Sequence, residues 1–552
     1  MGYLTRDIPS SMKDLTYGWI VRAKNETVFS KNREIVEESP EEDSPHDRSE
    51  VVFKILTAGS GLFSDGYVNN SISTASTCLS TLYPKEVGNS SALSNVSSIA
   101  FVGTIVGQLS FGYISDKFSR KLGMLISSAL LILFSILCAA SYGGPGNIEG
   151  MLIALTVYRF FLGIGIGSEY PTGSVACAEA SAMLPAKKRN RYFCWFTNFS
   201  IDVGFVCSAL VPFVLLLILK EKRLDLVWRL TLGIGAVFPL ALFLLRTKFK
   251  EDKQFKKTGF QKVGIPYLTV LKFYWFRLIV VALIWFVYDF CTYAFGLYSS
   301  FIIKVIIPDG DLVKTFGWNI VLNVFYIPGA FLGAVSSDYL GPRLTLVIGL
   351  LLQATFGIIL GALFPILKHN IAGFVIIYGI FMTMGEFGPG DNIGILASKT
   401  SATSIRGTYY SVAAAIGKVG AFTGTYIFPI IIKRFGGAES NSGMQAPYFI
   451  ASILAIIAAL AGLIFLPDVS PSAMSLEDNK FLEYLASTGF DMSSLGSDDG
   501  DEEEDDISDS VSEYIVRDGS GKKMVIEDYD SGSDAESFDK KKESPFVNVR
   551  EL

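Results

Sequence analysis

Charge is scarce in this sequence: Asp, Glu, Lys and Arg make up 18% of 552 residues, against about 25% in ordinary soluble domains. Histidine is scarcer still, with His46 in an N-terminal stretch and His369 between apolar blocks. That leaves no His-based metal or catalytic site within the apolar body and argues against an intramembrane enzyme. The six cysteines, Cys78, Cys138, Cys177, Cys194, Cys207 and Cys291, all fall inside apolar blocks. They read as small buried residues rather than as a disulfide framework. Residues 1–50 contain no apolar run of signal-peptide type, so no cleavable signal is expected. These shortages exclude a soluble enzyme, a nucleic-acid binder and a secreted disulfide scaffold.

Apolar residues are abundant, at 50%, with a mean hydropathy of +0.41. They fall in twelve blocks between Val51 and Leu466, each near the ~20 residues that cross a bilayer core. The expected fold is an all-α membrane protein of twelve transmembrane helices. Charge is unevenly spread. Residues 1–50 carry 7 basic and 11 acidic side chains, and 468–552 carry 8 and 24. The body, 51–467, is therefore basic between two acidic tails, both read as disordered. Their Ser-acidic stretches suit phosphorylation, and the tails are read as contacts for regulatory kinases or trafficking factors. Lys117, Arg120 and Lys121, then Lys187, Lys188, Arg189 and Arg191, then a basic connection over 246–275 mark one side of the membrane as cytosolic. Lys220, Lys222 and Arg223 blur the contrast on the other side. Both termini are expected in the cytosol, with the sequons at Asn89 and Asn95 outside and available for glycosylation.

The chain repeats itself. Gly112-Tyr113-Ile114-Ser115-Asp116-Lys117-Phe118-Ser119-Arg120 follows the second block, and Gly333-Ala334-Val335-Ser336-Ser337-Asp338 through Pro342-Arg343 follows the eighth. This predicts two six-helix halves, 51–245 and 276–467. Each copy places an Asp at the membrane edge, suited to a gate that forms and breaks as the halves rock. Glu179 and Arg191 are the expected partners of Asp116, with Arg120, Asp338 and Arg406 in the same gating set.

Eight ionisable residues lie inside apolar blocks: Asp65, Arg159, Glu169, Asp202, Asp289, Glu386, Asp391 and Lys418. Facing lipid, each costs roughly 2.5–3.5 kcal/mol or more. They are expected to face a shared interior, with Arg159 paired to a carboxylate. Trp285, Asp289 and Tyr293 are spaced by four, which puts them on one helical face. Gly385–Asn392, with Pro389, suggests a broken helix. The glycines of Gly163–Gly167 mimic a dinucleotide loop, but no strand precedes them, and close helix packing explains them better.

The two loop copies and these buried phrases resemble the major facilitator superfamily. Within it they resemble the phosphate:proton symporter branch and the fungal glycerophosphodiester permeases. The resemblance implies Tyr170, Trp285, Asp289, Tyr293 and Lys418 as substrate ligands. It implies Asp65, Glu169 and Asp289 as proton-coupling carboxylates. Asp202 and Asp391 stand where inorganic phosphate carriers differ, and Gly390 replaces an expected Asn. Extra carboxylates and added room suit a cationic head group, so the reading leans to glycerophosphocholine ahead of glycerophosphoinositol. The implied function is proton-coupled uptake across the plasma membrane by alternating access, with no cofactor and no metal. An inorganic phosphate:proton symporter and a non-transporting nutrient sensor are the alternatives. The segment Arg246-Thr247-Lys248-Phe249 lacks the Pro-Glu-Ser-Pro-Arg phrase of typical sugar porters.

Overall fold

Backbone amides have no water to bind inside a bilayer, so a chain of long apolar runs is held to helices that satisfy their own hydrogen bonds. The computed structural model describes residues 45–88, 92–251, 255–256, 259–307, 311–467, 469, 473–492 and 495, and three short strands near the C-terminus. Among the described residues, eleven helices are long and apolar enough to cross a membrane. We number the spans in order. α1 runs through Pro45–Gly59, a tight turn at Ser60–Leu62, and Phe63–Leu82. α2 is Ala92–Lys117, α3 Arg120–Ala139, α4 Ile148–Ala182, α5 Arg189–Leu219 and α6 Glu221–Arg246. The second half has α7 Tyr267–Leu297, α8 Leu312–Tyr339, α9 Pro342–Leu367, α10 Ile371–Lys399, α11 Thr403–Arg434 and α12 Asn441–Phe465. α1 is the twelfth span and the least apolar. Its Asp65, Asn69, Asn70, Ser71, Ser73 and Thr74 are all buried against other helices.

The exterior of the spans is apolar, with Leu133, Ile136, Leu217, Leu283, Ile376 and Leu460 exposed as a lipid-facing surface. The eight intramembrane charges point inward, each 2% exposed or less. Glycine sets how closely the helices approach. A Cβ on Gly163 of α4 would lie 2.1 Å from the Ala100 carbonyl oxygen of α2, and one on Gly424 of α11 would lie 2.2 Å from that of Phe290 in α7. Only a bare backbone fits at either crossing.

The repeat extends to backbone irregularity. α4 carries a wide π-type turn at Tyr170–Ser174 and α10 carries one at Glu386–Gly390, each with a proline, Pro171 or Pro389. The sequence suggested a break in α10. Instead the helix continues, because an expanded turn accommodates the missing proline N–H without ending the element.

Ala473–Ser487, within the tail expected to be disordered, forms a helix, α13. Its Phe481, Tyr484 and Leu485 are buried with Phe260, Phe273, Tyr274 and Tyr409. Glu477 pairs with Arg277 at 3.2 Å, and Asp478 accepts hydrogen bonds from Thr403 N (2.5 Å) and Oγ1 (2.8 Å). Residues 498–552 are a separate unit. In it the strands Tyr514–Arg517, Lys523–Ile526 and Arg550–Glu551 pair antiparallel in that order. The tail before residue 45 and Asn89 lie outside the described residues. Asn95 is exposed in the first turn of α2.

Candidate functional site

At mid-membrane, α1, α4, α5, α7, α10 and α11 enclose a small chamber of about 50 Å3. Lys418 of α11 occupies one end. Its Nζ lies 3.4 Å from both Asp65 Oδ2 and Asp289 Oδ2 and donates to the Tyr293 hydroxyl. Asp65 in turn accepts from Tyr293 (3.0 Å), from the Tyr170 hydroxyl and from Asn69. The ammonium stands 3.9 Å from the Tyr293 ring centre and 5.1 Å from that of Tyr170. Asp65, Tyr170, Asp289, Tyr293 and Lys418, drawn from four helices, thus form one bonded cluster. Trp285 and Tyr410 pack edge to face beside it, 5.4 Å apart.

The other end of the chamber is acidic. Asn198 of α5 donates to Glu386 (3.0 Å) and to Asp391 (3.1 Å), and Tyr288 donates to Glu386 (2.9 Å). Asp202, expected to bind substrate, is buried one turn beyond Asn198 but does not line the chamber, and both its carboxylate oxygens lack a hydrogen bond. A Cβ on Gly390 would lie 2.3 Å from Glu386 Oε2 and 2.7 Å from the Tyr288 hydroxyl, so any side chain there would displace this group. One cation thus faces a surplus of carboxylates in a narrow chamber. Proton uptake or a cationic ligand offsets that surplus.

Glu169 does not join the chamber. It forms a two-point ion pair with Arg246 of α6 (2.6 and 2.7 Å) and accepts from Ser127 of α3 (2.7 Å). Glu169 and Tyr170 are adjacent and so point about 100° apart, one into the first half and one into the chamber. Arg159 was expected to meet a carboxylate. It donates instead to the carbonyls of Val96 (2.7 Å) and Val68 (3.4 Å).

The loop repeats meet the opposite half reciprocally. Asp116, at the end of α2, accepts from Gly407 N (2.8 Å) and Thr408 N (2.5 Å) at the start of α11. Asp338, at the end of α8, accepts from Asn190 N (3.1 Å) and pairs with Arg191 (2.6 Å) at the start of α5. Glu179 joins Arg120 (2.8 Å) to Arg406 (3.1 Å), and Arg120 also reaches the Thr403 carbonyl (3.1 Å). Glu179 and Arg191 were the expected partners of Asp116. They serve Arg120 with Arg406, and Asp338, because Asp116 lies level with the first amides of α11. All six of these residues therefore lie at one face, the basic face, where their contacts join the two halves. Near the opposite face the halves touch through neutral groups, Asn70 with Asn323 (2.9 Å) and Ser73 with Ser300 (3.2 Å).

The family model described as "Sugar (and other) transporter" matches residues 51–257 and again 252–477, once for each half. The chain belongs to that family. The transporter is 50% identical over 504 residues to the Major glycerophosphoinositol permease GIT3 of Candida albicans, covering 89% of this chain and 94% of that one. It is 49% identical over 500 residues to the Glycerophosphocholine permease GIT4 of the same organism, with the same coverages. Its fold matches the proton:xylose symporter XylE bound to 6-bromo-6-deoxy-D-glucose, with TM-score 0.64 and 19% identity over 79% of this chain and 99% of that one. It is a multi-pass membrane transporter and not an enzyme.

Sequence reasoning left several chamber residues outside the site, among them Glu386, Asn198, Tyr288 and Tyr410. Glu386 was visible as an intramembrane charge, but nothing in one sequence says which way it points. Asn198 precedes Asp202 by four and so shares its face, a signal that was there to use. Tyr288 gives no signal apart from its neighbour Asp289.

Proposed function

We propose that this transporter takes up a glycerophosphodiester together with protons, glycerophosphocholine being preferred, across the plasma membrane with the basic face and both termini in the cytosol. The bipolar chamber supports this reading above all else. A phosphate suits Lys418, Tyr170 and Tyr293. A quaternary ammonium suits Glu386 and Asp391 beside Tyr288, with Trp285 and Tyr410 also lining the chamber.

Coupling follows from Lys418 being already paired. While Asp65 and Asp289 are ionised they hold the ammonium and repel an anion. A proton on either one frees Lys418 for phosphate, so proton and substrate bind as a set. The basic-face contacts are then the cytosolic gate, and the halves rock about the midplane site. Glu169, held by Arg246, is a brace in this scheme rather than a proton carrier.

Glycerophosphoinositol is the second reading, favoured by the 50% identity to GIT3. Its ring hydroxyls would donate to the same acidic end. The test is uptake of labelled choline, inositol and ethanolamine phosphodiesters by transporter-null cells expressing the chain, with orthophosphate as competitor. Choline diester uptake resistant to orthophosphate is expected. Uptake abolished by excess orthophosphate would favour a phosphate symporter. The relatives are named permeases, and a non-transporting sensor draws no support from them.

A further inference from the structure

A second cavity, of about 240 Å3, lies toward the face opposite the basic face, between the ends of α1, α2 and α7, the short helix Ser299–Ile306 that follows α7, and Thr425 of α11. The central chamber, at about 50 Å3, holds only a few waters, whereas ligand-enclosing pockets run to roughly 300–1,000 Å3. The outer cavity is thus nearer the size of a phosphodiester. Its lining is rich in hydroxyls: Ser73, Ser76, Thr77 and Ser80 from α1, and Ser94 and Ser97 from α2. The buried hydroxyl of Ser76 has no hydrogen-bond partner. Among the residues that line it, Lys304 alone is charged, and it is exposed. Tyr298 and Phe301 supply the apolar wall.

We infer that this cavity is a capture site, in which Lys304 takes the phosphodiester anion and the serine hydroxyls take the glycerol hydroxyls before the substrate enters the central chamber. The inference rests on the transport reading above and adds a second station to it. The two stations differ in chemistry. No carboxylate lines the outer cavity, so it recognises the glycerol and phosphate that all such diesters share. The acidic end of the central chamber then selects the head group.

The outer station is also tied to opening. Ser73 lines the cavity and donates to Ser300 of the other half, a long bond of 3.2 Å. A ligand oxygen that takes the Ser73 hydroxyl removes one of the neutral contacts near that face, which also include Ser94 with Tyr298. Capture and opening are thereby coupled.

The test is the concentration dependence of labelled uptake in intact cells, at equal surface abundance, for wild type, Lys304→Gln, Lys304→Arg and Ser76→Val. The Lys304→Gln change is expected to raise KM about three- to five-fold, the size of one exposed charge contact, with Vmax kept within about twofold. The rise should be equal for choline and inositol diesters, and Lys304→Arg should restore the wild-type KM. Ser76→Val should raise KM in the same direction. An unchanged KM in Lys304→Gln, or a fall in Vmax alone, overturns the capture site while leaving the transport reading intact. Failure of the wild-type chain to take up any glycerophosphodiester sinks the transport reading, and the capture site with it.

Discussion

Asp289 and Lys418 lie 3.4 Å apart in a chamber without room for a hydrated ion, and each is the natural switch for the other. Replacing Asp289 by Asn keeps the shape and removes the titrating proton. Uptake should fall by roughly ten- to a hundred-fold, the worth of one charge-assisted contact, and should lose its dependence on external pH. Labelled uptake across a pH series checks both. Wild-type behaviour in that variant would take Asp289 out of the coupling. Glu169 belongs to a different class. Breaking its buried pair with Arg246 costs about 3–5 kcal/mol, so Glu169→Gln should lower melting temperature and abundance. What protein survives should keep the wild-type pH profile. At this scale the sequence exposed the ionisable residues plainly, because charge inside an apolar run has few explanations. It concealed their directions. Glu169 and Tyr170 differ by one position and serve unrelated ends, and the spacing of four that revealed Trp285, Asp289 and Tyr293 has no counterpart for Glu386.

Among the elements, the helix crossings depend on missing side chains. A leucine at Gly424 should separate α11 from α7 and destabilise the fold, whereas the same change at Gly437, where a Cβ meets nothing within 4 Å, acts only through its backbone strain. Thermal unfolding in detergent compares the two. α13 was missed because it lies in an acidic tail whose overall charge argued for disorder. Its apolar Phe481, Tyr484 and Leu485, spaced by three and four, were present but short. Burial raises the Asp478 carboxyl above its ordinary range, outweighing Arg406 and the Thr403 hydrogen bonds that lower it. A carboxyl raised in the docked state favours docking most in acid and loses that contribution as pH climbs through the docked value. Hydrogen-exchange protection of 473–487, corrected for intrinsic rate, should therefore be higher at acidic than at neutral pH. An Asp478→Asn change should flatten the difference. The twelve spans and their division into halves were readable from hydropathy and from the repeated Asp loops. The reciprocal seating of those loops was not, because which helix start faces Asp116 is a tertiary fact.

For the whole molecule, charge balance separates the two substrate readings. Glycerophosphocholine is a zwitterion, so one proton carried with it moves one net positive charge inward. That gains about 2.3 kcal/mol per 100 mV, or roughly fifty-fold accumulation. Glycerophosphoinositol is an anion, and one proton leaves its transport neutral. Depolarising the membrane at fixed pH should therefore depress choline diester uptake and spare inositol diester uptake if one proton moves per cycle. Uptake in proteoliposomes with a clamped potassium gradient measures this.

The two faces of the molecule are fastened unequally. Toward the basic face, aspartates, a glutamate and arginines must all part. Near the other, the contacts described are between neutral amides and hydroxyls, Asn70 with Asn323, Ser73 with Ser300 and Ser94 with Tyr298, which need only slip. With the basic face in the cytosol, as proposed, an unloaded carrier built this way rests facing its supply, and turning inward empty is the costly direction. That asymmetry biases which orientation the empty carrier occupies, while net direction comes from the gradients that load it.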